Sequence, residues 1–127
     1  MPTGVVLYCY IAAGGAVGAC LRYFLTSQFD SWFGKALPFG TLGVNVIGSF
    51  CLALLYGLIE RHELTDSPYR ALLGVGLLGA LTTFSTFSIE TLALLENGLW
   101  MKAAANIVLN VAVCLLAGWL AIQIMKG

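Results

Sequence analysis

The stretch Gly79-Ala80-Leu81-Thr82-Thr83-Phe84-Ser85-Thr86-Phe87-Ser88 lies inside an apolar run from about Ala71 to Leu95 whose only charge is Glu90. A helix needs roughly 20 apolar residues to cross the hydrocarbon core of a bilayer, and this run is long enough. Its centre is a poor continuous helix. Glycines stand at Gly74, Gly76 and Gly79, and five hydroxyl residues with two phenylalanines fill the seven positions from Thr82 to Ser88. Glycine and β-branched threonine both disfavour the helix interior. Hydroxyls also bond to nearby carbonyls and compete with the helical ladder. Irregular backbone at membrane depth survives only where protein or a water-lined cavity covers it. The stretch therefore predicts a break in a membrane-spanning helix near Gly79–Thr83. A break frees carbonyl oxygens that can bind a small cation.

Outward from that run, three more segments are long and apolar enough to span: about Gly4 to Leu25 with Arg22 near its end, about Phe39 to Ile59, and about Ala103 to Met125. The linkers Thr26–Pro38, Glu60–Arg70 and Glu96–Lys102 carry the turn residues and most of the charge. The chain has 127 residues, 60% hydrophobic and 9% charged. A soluble domain of ordinary composition has about 25% charged residues, so the excess apolar surface belongs in lipid. The expectation is an all-α membrane protein, one four-helix transmembrane domain over 1–127. The first span is expected to be retained, because no Lys or Arg precedes it and its apolar stretch is longer than that of a signal peptide. Net charge is zero, with no basic footprint for nucleic acid.

An even number of spans puts both termini on one side. That side then holds Arg61, Arg70 and Lys126, and the other holds Arg22, Lys35 and Lys102. Orientation follows an excess of Lys and Arg on the cytoplasmic side, and three against three gives none. Either small counts tie by chance, or the chain inserts both ways and pairs as an antiparallel dimer. Four short helices barely enclose a pathway, so a dimer or larger assembly is expected. Gly14 and Gly18, at GxxxG spacing, suit close helix approach within one chain or between two.

Two further polar stripes lie at helical spacing: Thr41, Asn45 and Ser49 in the second span, and Asn106, Asn110 and Cys114 in the fourth. Each is either interhelical hydrogen-bond glue or a track of donors suited to an anion. Phe84 and Phe87, three apart, sit roughly on one face among hydroxyls, and ring edges carry positive quadrupole potential that a small anion can meet. Glu90 is either a coupling or pore-mouth carboxylate, or a group paired with Arg22 or hydrogen-bonded near the interface. The cysteines Cys9, Cys20, Cys51 and Cys114 all fall in spans and, lacking CxxC spacing, read as small apolar residues. No nucleophile–base pair is present and His62 stands alone in a loop, so an enzyme is not expected.

The Thr82–Ser88 element with Glu90, the Gly40-Thr41-Leu42-Gly43-Val44-Asn45 segment followed by Gly48, and Gly14, Gly15, Gly18 and Arg22 together resemble the Fluc (CrcB-type) fluoride channels over the whole chain. The resemblance implies an antiparallel, dual-topology homodimer in the cytoplasmic (inner) membrane, with the third helix broken mid-membrane at the dimer centre and two pores that pass fluoride passively out of the cell. It implies that Phe84 and Phe87 present ring edges to fluoride, that Asn45 orders the pore, and that Thr83, Ser85, Thr86 and Ser88 donate along it. Asn106 and Asn110 are assigned to the pore on the fourth span, where the match is loosest. Glu90 and Arg22 match vestibule residues. A structural sodium ion would be held by the backbone carbonyls of Gly79 and Thr82. The rival is a proton-coupled small multidrug-type exporter, which needs a membrane carboxylate, typically in the first span. That span has none.

Overall fold

The computed structural model describes residues 4–127. All its regular structure is helical: α1 (Gly4–Phe33), α2 (Phe39–Glu60), α3 (π-helical over Arg70–Leu78, then α-helical over Gly79–Leu81), α4 (Phe84–Glu96) and α5 (Trp100–Lys126). Four stretches are long and apolar enough to cross a membrane, with Arg70–Glu96 counted as one. The outward faces are apolar, as at Val5, Val108 and Leu115, which is the surface that a lipid solvent permits.

The first helix departs from the sequence expectation. It does not end near Leu25 but continues through Thr26 to Phe33, so much of the expected Thr26–Pro38 linker is helix. Its extension has partners of its own. Ser27 Oγ donates to the Tyr23 carbonyl, and Asp30 Oδ1 accepts the Gly40 N–H at the start of α2 (3.0 Å). Phe29 packs edge-on against Trp32, and Phe33 packs near Phe39. The chain then turns at Gly34, whose φ of +84° favours glycine.

Two seams organise the molecule. α1 lies along α3, while α2 lies along α5. Between α2 and α3 a buried cluster of Val44, Leu55, Ile59, Leu78 and Leu81 forms the apolar centre. In the first seam Gly14 and Gly18 are buried, and a side chain at either would run into the backbone carbonyls of Leu72 and Leu77 respectively. Gly76 meets the other side: a Cβ there would lie 2.8 Å from the Ile11 carbonyl. The GxxxG pair is thus used within the chain.

Between Leu81 and Phe84 the chain is extended. Thr82 has φ −85°, ψ 155° and Thr83 has φ −151°, ψ 120°. Helix therefore persists through Gly79–Leu81 before the ladder stops at Thr82, whose N–H and hydroxyl both donate to the Leu78 carbonyl (3.2 Å each).

Candidate functional site

The extended pair is where polar side chains converge. Asn45 projects from α2, and its amide pairs with the Thr83 peptide as a neighbouring strand would. Oδ1 accepts the Thr83 N–H at 2.8 Å, and Nδ2 donates to the Thr83 carbonyl at 3.2 Å. In an unbroken helix the Thr83 N–H would bond to the Gly79 carbonyl. On the other side, Arg22 of α1 donates from Nε to the Ala80 carbonyl (3.0 Å). Thr83 also caps α4, its Oγ1 accepting the Thr86 N–H at 3.1 Å. Such caps contribute about 1 kcal/mol to a helix.

Asn110 and Asn106 of α5 extend the amide cluster inward. Asn45 Nδ2 donates to Asn110 Oδ1 (3.0 Å), and Asn110 Nδ2 donates to Asn106 Oδ1 (3.1 Å) and to the Asn106 carbonyl (3.0 Å). Asn106 Nδ2 donates to Thr91 Oγ1 (2.9 Å), and Thr91 Oγ1 donates to the Phe87 carbonyl (2.8 Å). Asn106 and Asn110 lie on the buried stripe of α5 that also holds Ala103, Ala117 and Ala121.

A cavity of about 290 Å³ opens at this cluster, lined by Asn45, Ser49, Thr83, Phe84, Phe87 and Asn110 among others. Amide, hydroxyl and ring face it, and no cationic side chain does. Asn106 lies behind, outside the lining. The phenylalanines differ: Phe87 is buried, whereas Phe84 is 78% exposed on the protomer surface, their ring centroids 5.4 Å apart. Ser85 is exposed, with its Oγ 3.3 Å from Thr83 Oγ1, and Ser88 Oγ donates to the Phe84 carbonyl. A second cavity of about 260 Å³ is lined by Arg22, Thr26, Thr41, Thr83 and Thr86 among others. Thr83 borders both, so the two meet across the extended pair.

Arg22 is spent on the Ala80 carbonyl rather than on Glu90. Glu90 Oε1 and Thr41 Oγ1 are both buried without a hydrogen-bond partner. Buried polar groups almost always find one, and the group that each of these faces is the other, Thr41 of α2 against Glu90 of α4. A larger cavity of about 730 Å³ between α2 and α5, lined by Leu52, Tyr56, Leu115 and Trp119 among others, holds none of the predicted site residues. Among the described residues no group of three His, Cys, Asp or Glu side chains could hold a metal. Carbonyl coordination of a hard cation needs no such group. The Gly79 carbonyl, whose helical donor has gone to Asn45, offers an oxygen of the right kind.

Sequence reasoning missed Thr91. Its signal was its place four residues after Phe87, on the face of α4 that turns towards the asparagine stripe.

Comparison with known proteins places the chain in company. Residues 9–122 match the sequence model of the family described as CrcB-like protein, Camphor Resistance (CrcB). A protein of Alteromonas mediterranea named fluoride-specific ion channel FluC is 76% identical over 127 residues, the whole of both chains. Proteins of the same name are 51% identical in Pseudoalteromonas translucida (91% of this chain, 96% of theirs) and 49% identical in Shewanella oneidensis (91% and 92%).

Proposed function

The chain belongs to the CrcB-like family, and from that membership we propose that it is a passive, fluoride-selective channel that lets fluoride leave the cell. It is a multi-pass integral membrane protein and not an enzyme. The observation that carries the mechanism is the cavity at the extended Thr82–Thr83 pair, where amide, hydroxyl and phenyl groups converge without a cation. Fluoride is small and strongly hydrated, so a pore must replace its water with close donors. The ring edges of Phe84 and Phe87 and the hydroxyl pair of Thr83 and Ser85 do this without fixed positive charge, which would hold the ion too long, on a wall that Asn45 orders through the Thr83 peptide. Ser88 and Asn110, whose donors are spent on the Phe84 carbonyl and on Asn106, shape the wall of the site, while Asn106 backs it. Arg22 lines the neighbouring cavity, with its Nε on the Ala80 carbonyl at the break. Chloride is rejected by width and poor donor fit.

The functional unit of this proposal is an antiparallel homodimer with two pores in the inner membrane. Two features support it: the three-against-three charge balance, and the exposure of Phe84, a ring that a second copy would cover. The break lies mid-membrane at the dimer centre, and a sodium ion there would be held by the carbonyls of Gly79 and Thr82. Bound, it would neutralise carbonyl dipoles that the broken helix leaves unpaired. No observation favours the proton-coupled exporter. The one acidic residue of α1, Asp30, is engaged by the Gly40 N–H.

Liposomes loaded with fluoride and purified protein test the proposal, with a fluoride electrode outside and chloride followed in parallel. Rapid fluoride efflux with little chloride is expected. Folded protein that passes no fluoride overturns it.

A further inference from the structure

The hydrogen bonds around the asparagines run in one direction. A backbone N–H can only donate, so Thr83 fixes Asn45 with its oxygen towards α3 and its nitrogen outward. Asn45 then donates to Asn110, Asn110 to Asn106, Asn106 to Thr91 and Thr91 to the Phe87 carbonyl. The chain of bonds begins at the extended pair, crosses α2 and α5, and returns to α4 beside the buried phenylalanine. Each interior link uses one acceptor and one donor of the same side chain. Turning any amide over would set donor against donor. The far links are deeply buried: Thr91 is 7% exposed and Asn106 2%. Hydrogen bonds in a low-dielectric interior polarise one another, so the links reinforce along the chain.

We propose that Asn110, Asn106 and Thr91 are positioning residues that lock the orientation of Asn45, which holds the Thr83 peptide, and of the Phe87 carbonyl, so that the extended pair and the Phe87 backbone at the two ends are set by one relay. This rests on the fluoride-channel reading. It differs from a pore-lining role for Asn106, because Thr91 and Asn106 border neither cavity; Asn110 borders one, with both amide hydrogens spent on Asn106. The relay also accounts for two asparagines on one membrane-helix face: an amide is the side chain that accepts on one atom and donates from another.

Thr91→Val removes the hydroxyl and keeps the shape; Thr91→Ser keeps the hydroxyl. The expected result is that Thr91→Val slows fluoride efflux per folded protein by about tenfold, the rate equivalent of one net hydrogen bond, and that Thr91→Ser restores it. In micelles, the side-chain amide NMR signals of Asn106, Asn110 and Asn45 should all move in Thr91→Val and stay close to native in Thr91→Ser. Native flux in Thr91→Val, or a shift confined to Asn106, overturns the relay. The amide signals report on it even if the native protein passes no fluoride, which would overturn the channel reading alone.

Discussion

The two seams of this molecule solve the same problem by opposite means. Along α1 and α3 the helices touch through glycine, backbone against backbone, at Gly14, Gly18 and Gly76. Along α2, α4 and α5 they touch through amides and hydroxyls at Asn45, Thr91, Asn106 and Asn110. Lipid is as apolar as leucine, so neither seam gains much from burying apolar surface. The first gains dispersion from close approach and fixes only a distance. The second fixes orientations, including that of an extended dipeptide no helix would hold. Structure that only has to stay together is placed in one seam, and geometry that has to be correct in the other.

The largest effect should come from overfilling the glycine seam. Gly18→Leu drives a side chain into the Leu77 carbonyl, and backbone cannot swing aside as a side-chain tip can. Overpacking that a core can relieve costs about 1–3 kcal/mol, and this contact offers little relief. Size-exclusion chromatography in detergent should recover little or no folded Gly18→Leu protein. A well-folded variant would mean that the two helices are free to separate.

Asn45→Leu separates the seams by kind of damage. It leaves the Thr83 N–H and Asn110 Oδ1 without their partner, at a stability cost of about 1–3 kcal/mol, so the protein should still be purified intact. The pore donors lose their register, and misplacement of about 1 Å at a working site can cost about a hundredfold in rate. Fluoride efflux per folded protein should fall by about that factor. Equal losses of stability and flux would show the polar seam to be glue like the other.

The two seams were also unequally legible in the sequence. Gly14 and Gly18 announced close packing, but spacing cannot say whether the neighbour is the same chain; only the fold brings Leu72 and Leu77 against them. The glycines and hydroxyls of Gly79–Ser88 announced a weak helix, because propensity is local. That the ladder stops at Thr82 was not legible, since it depends on Asn45, 38 residues away, offering Thr83 a partner. Asn106 and Asn110 were visible as a stripe whose two readings stayed balanced, because burial is a property of the assembled helices. The end of α1 was misjudged for a related reason. Hydropathy falls after Leu25, yet helix needs only hydrogen bonds and local packing to continue, and Asp30 and Phe29 find both.

A smaller effect is expected where the polar seam itself contains a glycine. Gly48→Ala on α2 would meet the methyl of Thr82, the end of a side chain rather than backbone. A threonine can change rotamer, at the cost of its hydroxyl bond to the Leu78 carbonyl. The loss should be about 1 kcal/mol of thermal stability, one net hydrogen bond. Flux should fall visibly, because Thr82 adjoins the pore donors.

The smallest effect tests whether the glycine seam is a seam or merely a glycine-rich helix. Gly15 sits between Gly14 and Gly18 in sequence, but a Cβ there would come no closer than 3.9 Å to the Gly76 carbonyl, an ordinary contact. Alanine is favoured over glycine in a helix interior by up to about 1 kcal/mol. Gly15→Ala should therefore melt at or slightly above the native temperature and pass fluoride at the native rate, while its neighbours tolerate no such change. If Gly15→Ala instead unfolds the protein as Gly18→Leu is expected to, the requirement for glycine in α1 is not set by contact with α3. The contrast between a seam of distance and a seam of orientation would then lose its first half.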